Sequence, residues 1–107
     1  MAPLSIAFVV SFGEPSEGFF ADTFLAQLCA EARESGHRAR LIRVYYDGRD
    51  PRRDDEVRAR FERWLDAQAT DLVVVERLFD ADPIRKHLAR APGRHCALLV
   101  RGDSFDP

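Results

Sequence analysis

Lysine is almost missing from this chain of 107 residues: 15 of its 16 basic side chains are arginine, and Lys86 is the exception. Cysteine is scarce too. Cys29 and Cys96 sit in separate apolar segments, with no CxxC and no CxxxCxxC spacing, which excludes the usual zinc and iron–sulfur ligand sets and predicts two reduced cysteines. No apolar run approaches the ~18 residues of a membrane span. The first 32 residues hold Glu14, Glu17, Asp22 and Glu31 but no basic residue, so the positive segment of a signal peptide is lacking and a cytoplasmic location is expected. A net charge of -2 gives no reason to expect a polyanion, so neither nucleic acid nor membrane is an expected partner. Apolar residues make up 46% of the chain, too many for a disordered one. One domain over residues 1–107 is the expectation.

The clearest positive signal is Leu4-Ser-Ile-Ala-Phe-Val-Val-Ser11, apolar on both faces, as a strand inside a parallel sheet must be. A turn-rich loop, Phe12-Gly-Glu-Pro-Ser-Glu-Gly18, precedes a predicted helix over Phe19–Ser35. That helix has Ala21, Phe24, Leu25, Leu28, Cys29 and Ala32 on one face and Gly36 as its stop. Arg38–Tyr46 is more polar and reads as an edge strand. After Asp47-Gly-Arg-Asp-Pro-Arg-Arg53, the acids Asp54, Asp55 and Glu56 mark the first turn of a second helix. Val57, Phe61, Trp64, Leu65 and Gln68 form its inner stripe, and Arg58, Arg60 and Arg63 its outer face. Asp71–Glu76 predicts a buried strand, and Asp82-Pro83 an N-cap acid followed by a helix-opening proline. Ile84, His87, Leu88 and Ala91 then line a third helix, and His95–Val100 is a fourth strand.

The order βαβαβαβ implies right-handed crossovers and an α/β fold of three layers. The expectation is an open parallel sheet of about four strands, ordered 2-1-3-4, with helices on both faces. Doubly wound sheets commonly continue with another αβ unit, so this is expected to be an N-terminal module of a longer enzyme.

Ligands of such sheets bind beyond the carboxyl ends of the strands, at the switch in strand order. Residues reaching that edge are Ser11, Glu14, Ser16 and Glu17 from the first loop, with Tyr46 and Asp47 after the second strand. Glu76 and Arg77 follow the third strand, and Arg101, Gly102 and Ser104 the fourth. The first loop has only Gly13 and Gly18 with two carboxylates between them, unlike the GxGxxG that lets backbone approach a pyrophosphate. No Walker A loop or GxSxG elbow occurs, and the third strand lacks the terminal Asp of a phosphoacceptor domain. His37, His87 and His95 have no metal-ligand spacing, so no metal is expected. Arg101-Gly-Asp103 is read as a coincidental match to an adhesion tripeptide.

Taken together, the apolar first strand, the loop with Pro15 and Gly18, Phe24-Leu25…Leu28, Ser35-Gly36-His37 and Thr70-Asp71-Leu-Val-Val-Val75 form a pattern. It resembles the Rossmann-like, cobalamin-binding-type domain at the N-terminus of many radical SAM enzymes, over nearly the whole chain. The resemblance implies an accessory domain that caps or presents a cofactor, cobalamin, to a catalytic domain in cis or on a partner subunit. It also implies cofactor contacts from Ser11, Glu14, Ser16, Glu76, Arg77, Arg101 and Gly102. The sequence departs from that pattern twice: the DxHxxG that supplies an axial histidine is absent, and a Gly-Gly pair after the fourth strand is reduced to Arg101-Gly102. No catalytic constellation is found within these residues. Two other readings stand beside this one. The first is the acceptor-side N-terminal domain of a two-domain glycosyltransferase, with Glu14 or Glu17 toward the acceptor. The second is a stand-alone interaction module docking through its Arg-rich second helix.

Overall fold

A computed structural model describes residues 3–12, 19–75 and 81–98. The elements run β1 (Ser5–Phe12), α1 (Phe19–Glu34), β2 (Arg38–Tyr45), α2 (Pro51–Ala67), β3 (Leu72–Val75), α3 (Asp82–Ala89) and β4 (His95–Leu98). All strand pairs are parallel and the sheet order is β2-β1-β3-β4, the topology expected from the sequence.

The two faces of β1 explain the layers. Ala7 and Val9 join Val44, Phe61, Leu65, Val73, Val75 and Ile84 in the core beneath α2 and α3. Ile6, Phe8 and Val10 point the other way and join Leu25, Cys29, Ala39 and Val74 beneath α1. The chain therefore crosses once on one face and twice on the other, as right-handed connections require when the sheet first grows toward β2 and then toward β4.

Local chemistry sets where each helix ends. Gly36, with φ of +91°, closes α1 in the left-handed conformation, its N–H donating to the Arg33 carbonyl while that of His37 donates to Ala32. The predicted inner stripe of α1 holds at Leu25 and Cys29, with Leu28 and Ala32 packed at its margin. Phe24 departs from it, being exposed.

α2 begins earlier than its acids suggest. Asp50 caps it by accepting from the backbone N–H groups of Arg52 and Arg53, and Pro51 takes the first helical position. Asp54 is instead a buried clamp, whose carboxylate accepts from the N–H groups of Asp47 (2.8 Å) and Gly48 (2.9 Å) and folds the loop back on the helix. In α3 the capping position belongs to Ala81, and Asp82 lies inside the first turn, 3.1 Å from Lys86. β4 is covered least, with Cys96 exposed and Leu98 61% exposed.

The end of α2 repeats the closure of α1 without a glycine. Thr70 donates to Leu65 and Ala69 to Asp66, which forces Ala69 to a φ of +49°. An L-residue with a Cβ is strained there by about 1 kcal/mol. Ala69→Gly is therefore expected to stabilise the fold by about 0.5–1 kcal/mol, read as a higher midpoint in urea unfolding with an unchanged slope.

Candidate functional site

β1 and β3 lie side by side, and their outgoing connections leave for opposite faces, α1 on one and α3 on the other. The switch in strand order therefore falls between their carboxyl ends, where such sheets open a crevice. Ser11 is the penultimate residue of β1, its Cα paired with that of Val44. Glu14, Ser16, Glu17, Glu76, Arg77, Arg101, Gly102 and Ser104 lie outside the described residues.

Two other residues proposed for this edge have local structural work. Tyr46 is buried in the core beneath α2, with the Arg58 guanidinium 5.4 Å from its ring centre. Asp47 is held through its backbone by Asp54. Both position the β2–α2 loop.

None of the chain's three histidines sits at the carboxyl edge. His37 precedes β2 at the amino edge, where its Nδ1 accepts from the Leu4 N–H at 3.0 Å. His95 opens β4 at that same amino end. His87 is fully buried on α3. Among the described residues no three His, Cys, Asp or Glu side chains gather as a metal site. Cys29 is buried and Cys96 exposed, and desolvation raises the Cys96 thiol above its ordinary range, which disfavours the reactive thiolate.

The most developed polar cluster joins α2 to α3. His87 Nδ1 is 2.6 Å from Asp66 Oδ1, and Nε2 is 2.8 Å from the Thr70 carbonyl. Both ring nitrogens are thus engaged, and Nδ1 also lies 3.2 Å from the Arg94 guanidinium. Arg94 donates to the His87 carbonyl at 2.8 Å, and Arg90 bridges Asp66 and Glu62. Burial acts to raise the Asp66 carboxyl, but the His87 hydrogen bond and the charges of Arg90, His87 and Arg94 outweigh it and hold the group below the usual range. With both nitrogens engaged and no exposed surface, His87 has no free position for acid–base chemistry. The cluster fastens helices. Sequence spacing gave no sign of it, because 21 positions separate Asp66 from His87 and only the crossover through β3 joins them.

A second feature runs along the outer edge of the sheet. A cavity of about 610 Å3 lies between β2 and α2, floored by Ile42, Val57 and Trp64 and rimmed by Arg43, Arg53, Arg60 and Arg63. Arg60 and Arg63, expected on the solvent face of α2, thus border a groove. The reason is the position of α2 above a strand that is outermost among the described residues, so one flank of its apolar stripe has no described strand beside it.

Comparisons with models of protein families, with curated proteins and with solved structures find no match to this chain.

Two substitutions test the role of the cluster. His87→Leu keeps the volume but strands the Thr70 carbonyl and leaves Asp66 to Arg90 and Arg94, and should cost about 1–3 kcal/mol in chemical denaturation. Because the Asp66 carboxyl is depressed in the folded state, its contribution is complete above the unfolded carboxylate value and is lost as pH falls through the folded one. Thermal unfolding followed below about pH 4 should show a steeper loss of stability in the native chain than in Asp66→Asn.

Proposed function

We propose that this chain is an accessory Rossmann-like domain that caps or presents a cofactor to a catalytic domain elsewhere, in cis or on a partner subunit. It would act as the cobalamin-binding-type domains of radical SAM enzymes do. The observation that carries the reading is the switch between β1 and β3, whose connections part to opposite faces at the carboxyl edge. The resemblance along the sequence gives the class of cofactor. Ser11, Glu14, Ser16, Glu76, Arg77, Arg101 and Gly102 are the residues proposed to meet it.

The histidines decide how a corrinoid would be held. His37 and His95 stand at the opposite edge, and His87 is engaged at both nitrogens. None of the three is placed to offer an imidazole at that edge, so a corrinoid there would be held by other residues. Bound there, the group would supply alkyl or electron transfer to the catalytic domain, while this chain bound its rim and set its orientation.

Titration with hydroxocobalamin, followed by desalting, is expected to leave about one equivalent of corrinoid on the protein. His95→Ala should leave the absorption spectrum of that complex unchanged. Complete loss of the corrinoid on desalting would remove cobalamin from this reading.

A further inference from the structure

A polar cavity of about 300 Å3 opens at the amino edge of the sheet, away from the proposed cofactor crevice. Arg33 reaches it from the last turn of α1, and His37 from the turn that follows. Arg38 and Arg40 come from β2, Ser5 from β1, and Gln68 from the end of α2. Strand register explains the convergence. Ser5 pairs with Arg38 and Ala7 with Arg40, so both arginines share the α2 face of β2 with Val44. Arg33 belongs to the helix on the opposite face, where Ala39 is buried.

The donors of this corner are placed but unspent. Arg33 Nε donates to the Ala39 carbonyl at 2.8 Å, which anchors the guanidinium and leaves its Nη groups without a partner among the described residues. His37 Nδ1 accepts from the Leu4 N–H, so Nε2 carries the ring proton and is a donor. The exposed side chains of Arg38 and Arg40 have no hydrogen-bond or ion-pair partner among the described residues. No described carboxylate lines the cavity, although the chain holds 18 acidic side chains against 16 basic ones. The carboxylate that Ser5 meets, that of Asp71, accepts from its backbone N–H and is not part of the lining. Helix carboxyl ends carry partial negative charge and by themselves would favour a cation here. Their carbonyls are already engaged: those of Ala32 and Arg33 accept from His37 and Gly36, and that of Gln68 accepts from the Ser5 hydroxyl.

We infer that this corner binds a diphosphate group, free or as the end of a small ester. The guanidinium charges of Arg33, Arg38 and Arg40 match the roughly three negative charges of a diphosphate near neutral pH. A lone carboxylate would leave most of that charge unmatched. Phosphoryl oxygens point in several directions, so donors arriving from both faces of β2 and from the turn can share one group. The two oxygens of a carboxylate lie in one plane and suit a single guanidinium fork better. The volume is at the lower limit of small-molecule clefts, which suits a compact anion and is too small to enclose a dinucleotide whole. An anion there also relieves the repulsion between Arg38 and Arg40, two positions apart on one strand face.

The test uses the full chain and sodium pyrophosphate as the probe, titrated by calorimetry at low salt. About one equivalent is expected to bind, to raise the thermal midpoint saturably, and to shift the amide resonances of Ser5 and His37–Arg40. Orthophosphate and citrate are expected to bind about tenfold or more weakly than pyrophosphate. A parallel titration with ADP separates the two sources: tighter binding of ADP marks an ester end, and tighter binding of pyrophosphate the free ion. Arg38→Gln/Arg40→Gln, at exposed positions and checked for its fold by circular dichroism, should lose affinity about tenfold or more. Arg60→Gln/Arg63→Gln on α2 should bind as the native chain does. Absence of saturable binding, citrate binding as tightly as pyrophosphate, or equal losses in the two double variants would overturn the proposal. So would an oligothymidylate strand that binds more tightly than pyrophosphate. This cavity and the carboxyl-edge crevice lie at opposite ends of the strands, so this titration and the one with hydroxocobalamin succeed or fail separately.

Discussion

Burial of β1 from both sides is the constraint from which the rest of the architecture follows. Five consecutive residues, Ile6 to Val10, are each no more than 8% exposed, and alternate ones point to opposite faces. A strand with no polar face cannot lie at an edge or leave one side to water, so it must be central and carry a helical layer on each side. α1 supplies one layer with Leu25 and Cys29, and α2 and α3 supply the other with Phe61, Leu65 and Ile84. Once β1 is central, β2 and β3 are its neighbours, and the switch in strand order is fixed at its carboxyl end. The proposed cofactor edge is thus a topological result of apolar residues that touch no ligand.

Unequal cover over the outer strands follows from the same arrangement. With three helices for four strands among the described residues, the margins are thin. β4 shows Leu98 to solvent, while β2 lies under a helix that overhangs it and leaves Trp64 half-covered. Arginine suits such a margin because its stem covers apolar surface while its head stays in water. The groove rim and the incomplete core are two aspects of one packing problem.

Element order, strand order and the two-sided character of β1 could be read from the sequence, because period-2 and period-3.6 apolar patterns record burial directly. Errors arose where a polar residue had two competing uses. Asp54 looked like one of three acids at a helix start, yet it binds loop N–H groups, and Asp50 caps the helix. Asp82 looked like a cap and is a first-turn residue pairing along its own helix. The site was less legible than the fold for a physical reason. His87 and Asp66 meet only because two crossovers on the same face bring α2 beside α3, and the arginine rim exists only because α2 lies over the outermost described strand. Both depend on distances that no local pattern encodes. Most of the expected cofactor contacts fall in connections beyond the described residues, and of that set the structure locates only the backbone of Ser11.

The amino ends of the strands are stitched together by bonds beyond those of the sheet ladder. Asp71 accepts from the Ser5 N–H through its carboxylate while its own N–H donates to the Ser5 carbonyl, each at 2.8 Å. The His95 N–H donates to the Asp71 carbonyl at 2.8 Å, and the Arg38 N–H to the Leu4 carbonyl at 2.9 Å. These bonds run across all four strands at one level, like the rivet of a folding fan. A slip of β3 by one residue would break the rivet and turn Val73 and Val75 toward the wrong layer. The register of the whole sheet is therefore fixed from its amino base.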